Sequence, residues 1–385
     1  MPIQLKGITW NHTRGYVPMV ATAQRFMEKH PGVEITWEKR SLQEFADAPI
    51  QTLIERYDLL VIDHPWAGFA AEHGALVDLA EHLPAEYLAD QAAHSVGASH
   101  ESYRFNGRQT ALAIDAATPV ASRRDDLMQQ AGQEAPDTWE ELLSLARTGR
   151  VVLPGIPIDS LMNFYMFCAT LGEAPFREKE QVVGKETAGQ ALEMYRELVS
   201  LCTERIFGWN PIAVYEAMTS TDDYVYCPFA YGYSNYSRPG YAEKVLHFGD
   251  LVRLGHHGRL QSTLGGTGLS ISAGCSNKEL ALQYAAYAAD PVIQRTLYVE
   301  SGGQPGHRGA WENEEVNRQA QDYFQNTLPA LDRAYLRPRY DGYLYFQDHA
   351  GDVVQDYLKN GGSVDGVLKK LNQLYTQSLQ GGKHL

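Results

Sequence analysis

The chain has 385 residues, of which 44% are hydrophobic, and a formal net charge of −14. A chain of this length is too long for one ordinary hydrophobic core and suits two. The charge disfavours nucleic acids and anionic membrane surfaces as partners, because long-range repulsion would oppose their approach. The sequence has no apolar run of about eighteen residues, so we expect no membrane insertion.

The cysteines and the N-terminal sequence both bear on the cellular compartment of the protein. Cys168, Cys202, Cys227 and Cys275 lack CxxC spacing and lie in apolar surroundings, which favours free thiols over disulfides. Met1 leads directly into a strand-like pattern, without the basic region, apolar stretch and cleavage site of a signal peptide. Two alternatives follow: a signal peptide was removed, or the protein is made without one and is cytoplasmic.

Strand and helix patterns alternate through the first hundred residues. Apolar residues alternate or run continuously at 3–10, 33–37 and 59–62, which is typical of strands. Residues 20–27 carry apolar side chains at helical spacing, and a further helix is predicted after an N-cap at Asp47. This order predicts right-handed crossovers onto a mostly parallel sheet, and therefore an α/β protein.

The segment SYRFNGRQTALAIDAATPVASRRDDLMQQAGQEAPDTWEELLSLA, residues 102–146, has a distinctive order of elements. A turn at Asn106 and Gly107 leads into an extended run, a short amphipathic helix begins near Arg123, and Pro136 opens the next helix. This order resembles the family 1 extracellular solute-binding proteins, the sugar-binding receptors of bacterial uptake transporters. In that family such a segment crosses the hinge from the first lobe into the second.

Two later segments continue the resemblance. Residues 264–272, LGGTGLSIS, are similar to the family's return strand into the first lobe. Residues 279–310 are similar to its next pattern, an amphipathic helix, a small-residue break, a second helix and then Gly, Pro and Arg in order. The resemblance covers roughly residues 1–310; its single motifs are loose, but their order and spacing are specific. The tail, 311–385, is predicted to be helical.

The resemblance implies an α/β fold of the class II periplasmic-binding-protein type, with two lobes around a ligand cleft. Lobe 1 would comprise residues 1–115 and 264–308, and lobe 2 residues 116–263 and 309–385, with hinge crossings near 115 and 264. The implied function is capture of a small polar ligand, a carbohydrate or sugar acid, for an ABC transporter permease. The implied location is the periplasm or cell envelope. We expect a monomer without a cofactor.

Ligands of open parallel α/β sheets bind beyond the carboxyl ends of the strands, and two loops there are rich in aromatic and polar groups. The residues predicted to line this first wall are Trp10, Asn11, His12, Arg14, Asp63, His64 and Trp66. By resemblance, their aromatic faces would cover a sugar ring while the polar groups bind its hydroxyls. The alternatives are core positions for the tryptophans and a capping or surface role for His12 and Arg14.

The opposite wall is predicted on the aromatic segment 226–238. The three residues that we expect to face the cleft are Tyr231, Tyr233 and Asn235; the alternative is a packed, tyrosine-rich loop. Asp115 ends the apparent hinge strand, where it either accepts hydrogen bonds from ligand hydroxyls or forms a hinge salt bridge. Gly265 and Gly266 would let the backbone approach a ligand closely.

The charges of these loops leave other functions open. His12, Arg14, Asp63, His64 and Arg238 could surround an acidic or phosphorylated ligand. His12, Asp63 and His64 could also support acid–base catalysis in a cytosolic enzyme, or the fold could serve a cytosolic ligand sensor. A metal site from these three residues is not expected, because they lack a known ligand spacing. We expect binding without chemistry.

Overall fold

A computed structural model describes residues 2–42, 44 and 50–380 of the chain. The N-cap predicted at Asp47 lies outside these residues. The strands run over Ile3–Trp10 (β1), Val33–Arg40 (β2), Leu59–Ile62 (β3), Arg104–Phe105 (β4), Arg108–Gln109 (β5), Leu112–Ala117 (β6), Pro119–Arg123 (β7), Tyr226–Tyr231 (β8), His247–Gly249 (β9) and Gly265–Ile271 (β10).

The first sheet has five strands in the order β2-β1-β3-β10-β6. Strand β1 pairs in parallel with β2 and β3, as the alternating patterns predict. Strand β10 runs antiparallel to both β3 and β6, so the whole sheet is mixed rather than mostly parallel. The difference arises because β10 returns from a distant part of the chain and does not enter through a strand–helix–strand crossover.

The second sheet is antiparallel, in the order β8-β7-β9, and it is reached from the first through a single residue. Strand β6 ends at Ala117 and β7 begins at Pro119, so the chain passes between the sheets at Thr118. The Thr118 hydroxyl donates to the Thr263 carbonyl at 2.8 Å, immediately before the chain returns to the first sheet. Two crossings therefore lie side by side, and the molecule has two α/β lobes.

Helices cover both sheets. The α-helices run over Thr13–Lys29 (α1), Ile50–Ile54 (α2), Trp66–His73 (α3), Ala85–Ala93 (α4), Ser99–Ser102 (α5), Asp125–Gln130 (α6), Trp139–Ala146 (α7), Pro157–Thr170 (α8), Lys185–Ser200 (α9), Pro211–Ser220 (α10), Lys278–Ala288 (α11), Pro291–Ile293 (α12), Arg308–Trp311 (α13), Glu314–Gln319 (α14), Tyr323–Asp332 (α15), Tyr343–Asn360 (α16) and Val364–Leu379 (α17). A π-helical turn covers Gln294–Tyr298. None of the helices in the described residues combines the length and apolar character needed to cross a membrane.

Local signals set several of these boundaries. The side chain of Thr138 accepts from the backbone N–H of Glu141, and Glu141 reciprocates at the backbone of Thr138, which forms a capping box at the start of α7. The turn predicted at Asn106 and Gly107 joins β4 to β5, and both residues have positive φ, 48° and 82°. The predicted hinge segment therefore has the order of elements that its sequence indicates.

The core is divided by the sheets. Two clusters cover the first sheet, because alternate residues of its strands point to opposite faces: Leu59 and Val61 join one cluster, Leu60 and Ile62 the other. A larger cluster fills the second lobe and includes α8, α9 and the C-terminal helices α16 and α17. Most of the helical tail predicted from residue 311 onward thus packs on the second lobe.

Candidate functional site

The side chain of Arg14 joins the two lobes. Its guanidinium donates to both carboxylate oxygens of Asp115, at the end of β6, and Nη1 donates to the Gly232 carbonyl of the second lobe at 2.9 Å. The side chains of Arg14 and Asp115 are 5% and 0% exposed, so this pair is buried. Of the two roles that the sequence left open for Asp115, the salt bridge is the one that the structure has.

His12 lies next to Arg14 and contacts the aromatic segment of the second lobe. Its Nδ1 accepts from the Arg14 backbone N–H at 3.0 Å and so caps helix α1. Its Nε2 therefore carries the proton and lies 3.2 Å from the Tyr241 hydroxyl oxygen. The Tyr233 ring meets the imidazole edge-on, 4.6 Å between centroids, and also lies 4.7 Å from the guanidinium of Arg14.

Asn235 continues the same contact surface. Its Nδ2 donates to the Gly302 carbonyl at 3.1 Å, and the neighbouring Ser234 N–H donates to Gln304 Oε1 at 3.0 Å. Gln304 Nε2 in turn donates to the Ala116 carbonyl at 2.8 Å. We call this surface the inter-lobe seam, and its members are His12, Arg14, Asp115, residues 231–241 and residues 302–304. The seam brings His12, Arg14, Tyr233 and Asn235 together; that they line a ligand cleft stays a prediction.

Asp63 and His64, which directly follow strand β3, form a second polar group. Arg337 Nη2 donates to both Asp63 oxygens, at 2.7 and 2.8 Å, and Nη1 donates to Gln347 Oε1 at 2.9 Å. The Asp63 carboxylate also lies 3.2 Å from His64 Nδ1. Among the described residues no contact joins this pair to His12, so the predicted acid–base cluster is not assembled.

The tryptophans differ from the prediction. Trp10 is 3% exposed and lies in the cluster on one face of the first sheet, whereas Trp66 is 4% exposed and lies in the cluster on the other face. A Cβ on Gly15 would lie 2.3 Å from the Trp10 ring, so that glycine lets helix α1 close over the indole. Trp66 packs edge-on against Phe69 at 5.9 Å. Both rings are core residues here and offer no shared face to a sugar.

The two glycines serve protein packing rather than approach to a ligand. A Cβ on Gly265 would lie 2.5 Å from the ring of Tyr231, and a Cβ on Gly266 would lie 2.3 Å from the Asp115 carbonyl oxygen. Gly266 also has a φ of +99°, which favours glycine. The predicted role of Gly265 and Gly266 is therefore corrected. Asn11 is exposed, and its backbone N–H donates to the Arg40 carbonyl at 2.7 Å.

Both histidines of these groups are held neutral. Burial lowers the pKa of His12 to about 4, and the charge of Arg14 acts in the same direction. Burial likewise lowers the pKa of His64 to about 4, and Arg337 contributes. The carboxyl of Asp63 is different: burial alone would raise its pKa, but Arg337 and His64 lower it overall, so it is ionised. The arginines of both groups are thus paired with protein carboxylates.

The structure adds residues that the sequence reading missed. Gln304 and Arg337 hold the two polar groups together, but Gln304 lies 188 residues from Ala116 and Arg337 lies 274 residues from Asp63, so no local pattern could indicate these contacts. Asp159, in the first turn of α8, is close enough to Tyr231 and Tyr233 to affect the pKa of both. Burial raises the pKa of the Asp159 carboxyl to about 8, so near neutral pH it is mainly an uncharged hydroxyl donor.

Several buried polar atoms around the seam have no hydrogen-bond partner within the described chain. Ser234 Oγ, Asn235 Oδ1 and Arg238 Nε belong to the seam, with Thr267 Oγ1 beside it. His64 Nε2 and Arg337 Nε belong to the second polar group, and Asp159 Oδ2 belongs to α8. Thr267 is placed with the others by strand pairing, because it lies opposite Asp115. Buried polar groups are normally satisfied, and unsatisfied groups cost free energy. Their concentration where the lobes meet marks this region as a candidate binding site for a hydroxylated molecule.

The stability of the protein should depend on pH, because His12 and His64 are neutral in the folded state. Their folded pKa of about 4 lies below the ordinary value of 6.5, so the unfolded chain binds more protons between these values. Their contribution to stability is complete above pH 6.5 and is lost as the pH falls toward 4. Each unit of difference between the folded and the unfolded pKa contributes about 1.4 kcal/mol to the free energy of unfolding. Chemical denaturation should show that the free energy of unfolding falls less between pH 7 and pH 4.5 for His64→Gln than for the wild type.

The control for that comparison is His349→Gln, which changes an exposed histidine on α16. We expect its loss of stability between pH 7 and 4.5 to match that of the wild type. Equal slopes for the wild type and His64→Gln would contradict the account of a histidine held neutral by burial.

Two α/β lobes, joined by adjacent crossings and meeting at a polar, aromatic seam, define a class of protein: the two-lobed periplasmic-binding fold. Many solved structures share it, and three of them serve as examples. T. maritima MalE3 with bound maltose matches with a TM-score of 0.82 and 17% identity, over 97% of this chain and 99% of its own. A solute-binding protein from Agrobacterium radiobacter in complex with ribitol matches with a TM-score of 0.82 and 19% identity, over 98% of this chain and 100% of its own. The GacH receptor of Streptomyces glaucescens matches with a TM-score of 0.80 and 19% identity, over 99% of each chain.

The family follows from the sequence itself. The profile of the bacterial extracellular solute-binding proteins matches residues 21–325, and the chain belongs to this family. Members of the family are binding proteins rather than enzymes. They bind small molecules and work with the permeases of ABC transporters. Curated protein sequences contain no significant match.

Proposed function

We propose that this protein captures a small, uncharged carbohydrate or polyol between its lobes for uptake by an ABC transporter. The observation that carries the proposal is the set of unpartnered polar atoms where the lobes meet, above all Asn235 Oδ1 in the seam and His64 Nε2 in the second polar group. Sugar hydroxyls both donate and accept hydrogen bonds, so they match such a mixed set. The maltose and ribitol in the similar structures are ligands of the same chemical kind.

An uncharged ligand is favoured over a sugar acid. The charges of Arg14 and Arg337 are each balanced by a carboxylate, from Asp115 and Asp63. The Arg238 guanidinium donates to the Val299 carbonyl at 2.7 Å. An acidic ligand that used Arg14 or Arg337 would have to break a buried ion pair, which costs several kcal/mol, and Arg238 is the one seam arginine outside such a pair among the described residues. This argument replaces the acidic or phosphorylated ligand that the charged loops suggested.

The proposed binding is reversible and without chemistry. A general base must lie within hydrogen-bond reach of its target and be free to take a proton. The nitrogens of His12 are committed to the Arg14 backbone and to Tyr241. His64 Nε2 is unpartnered, but burial and Arg337 lower the pKa of His64 to about 4, which makes it a weak base. We propose further that the protein acts as a monomer and that, like its extracellular family, it works outside the cytoplasm.

The lobe boundaries proposed from the sequence are 1–115 with 264–308 and 116–263 with 309–385. The passage from β6 to β7 at Thr118 and the start of β10 at Gly265 support crossings within a few residues of 115 and 264. Leu344 lies in the tail but packs in a cluster on the first sheet. The tail is therefore the segment that is hardest to assign to lobe 2 alone.

A thermal-shift screen of neutral sugars, polyols and sugar acids tests the function. We expect a neutral compound to raise the melting temperature and Asn235→Ala to weaken its binding roughly tenfold, equivalent to about 1.4 kcal/mol. Asn326→Ala is the matched control, because Asn326 is exposed on α15. Mass spectrometry should recover the compound unchanged. Stabilisation by sugar acids alone, or conversion of the compound, would overturn the proposal.

A further inference from the structure

A cluster of two histidines and an aspartate lies outside the seam. One possible ligand atom from each of Asp90, His94 and His307 lies within 4.8 Å of the other two. Asp90 is in helix α4, and His94 is the residue at its C-terminal cap, so the two are four residues apart on one side of the helix. His307 comes from the segment between the seam and α13. Nothing in the proposed function uses these three residues.

The backbone fixes the two parts of the cluster against each other. Ser95 and His307 form an isolated antiparallel bridge, and the Arg308 N–H donates to the His94 carbonyl at 2.7 Å. The rings of His94 and His307 stack, with centroids 5.2 Å apart and planes 22° apart. The fold therefore fixes the backbone positions of His94 and His307 relative to each other.

The orientation of His94 suits a metal ligand. Its Nδ1 lies 3.1 Å from the Asp90 carbonyl oxygen and 2.9 Å from Asp90 Oδ1. Both partners are acceptors, so Nδ1 carries the proton and Nε2 keeps its lone pair. Histidines that bind metals commonly donate their other N–H to a carbonyl or carboxylate in this way.

His307 supplies the second observation. It is 7% exposed, and its Nε2 is buried without a hydrogen-bond partner among the described residues. Burial lowers the pKa of its imidazole, and so does the neighbouring His94. Its Nδ1 accepts from the Gly309 N–H at 3.1 Å, which places the proton on Nε2. Coordination through Nε2 would move that proton to Nδ1 and give up the cap bond, at a cost of about 1 kcal/mol.

We propose that Asp90, His94 and His307 bind a divalent transition-metal ion, Zn²⁺ in particular. Two imidazoles and one carboxylate are a ligand set that Zn²⁺ accepts, whereas Mg²⁺ and Ca²⁺ prefer oxygen alone. Ligand atoms about 2.1 Å from one ion lie roughly 3–4 Å apart, so the cluster must tighten slightly. Asp90 and His94 can move, because their side chains are 48% and 52% exposed. The bound ion would tie α4 to the segment that leads out of the seam.

Zinc titration by calorimetry tests this site on protein without a histidine tag and stripped with a chelator. We expect the wild type to bind Zn²⁺ and gain melting temperature, and His94→Ala to bind at least tenfold more weakly. His349→Ala is the matched control: this exposed histidine also has Nδ1 bonded to the carbonyl four residues earlier, at 2.8 Å from Tyr345. Binding should weaken as the pH falls, because protons compete with the metal ion for the ligand nitrogens.

A second pair of variants separates this site from surface binding. His307→Gln removes the buried ligand, and His257→Ala removes one of two adjacent histidines whose rings lie 4.0 Å apart. We expect the first to lose Zn²⁺ binding and the second to keep it. Loss in His257→Ala with retention in His94→Ala would overturn the proposal, as would the absence of binding in the wild type. His94→Ala keeps the test valid if His307→Gln fails to fold, because His94 is half exposed.

Discussion

Arg14→Met should lower the free energy of unfolding by about 3–5 kcal/mol, the usual cost of leaving one partner of a buried ion pair alone. Asp115 would keep a carboxyl group that is 0% exposed and has lost its guanidinium. The variant would also lose the hydrogen bond to the Gly232 carbonyl, which links the lobes. Urea denaturation measures the loss, and small-angle X-ray scattering should show a larger radius of gyration.

The matched control is Arg318→Met. Arg318 pairs with Glu315 on the surface of α14, with side chains that are 72% and 56% exposed, so this pair should contribute no more than about 1 kcal/mol. The double variant Arg14→Met/Asp115→Leu should recover part of the stability, because it removes the isolated charge. Equal losses in Arg14→Met and Arg318→Met would contradict the account of a buried bridge between the lobes.

Trp66→Ala should destabilise the protein by about 3–5 kcal/mol, as expected for a large aromatic residue removed from a core. Its ring is 4% exposed and packs in the cluster on one face of the first sheet. Because the ring does not reach the seam contacts, the affinity for the ligand should stay within about twofold once the protein is folded. Denaturation curves and calorimetry with the compound from the screen measure the two effects.

Trp209→Ala is the control for this substitution. Trp209 is only partly buried, against Tyr224 at 5.8 Å, so its removal should cost less than that of Trp66. A large loss of affinity in Trp66→Ala with little loss of stability would restore the stacking role that the sequence suggested.

Much of the fold could be predicted from local patterns. The apolar run at Leu59–Ile62 indicates a buried central strand, and the capping sequence around Thr138 marks the start of α7. The hinge follows from the order of a glycine turn, an extended run and two helices, because each element has a signal within ten residues. The family resemblance then linked these local elements into two lobes, which the similar structures confirm.

The site was harder to predict, because its contacts join residues that are distant in the sequence. Arg337 pairs with Asp63 across 274 residues, and this contact takes up the charge that had suggested an acidic ligand. The aromatic pattern could not distinguish a tryptophan that stacks on a sugar from one that fills a core; Gly15, which makes room for Trp10, decides that question. The cluster of Asp90, His94 and His307 escaped notice for the same reason.

A crystal structure with the carbohydrate or polyol from the screen tests the central claim most directly. We predict that the compound lies between the lobes, with its hydroxyls within hydrogen-bond distance of Asn235 Oδ1 or His64 Nε2 and with contacts to both sheets' strand ends. A compound bound on one lobe alone, for example in the surface groove lined by Trp311 and Arg333, would contradict the claim that the seam is the binding site.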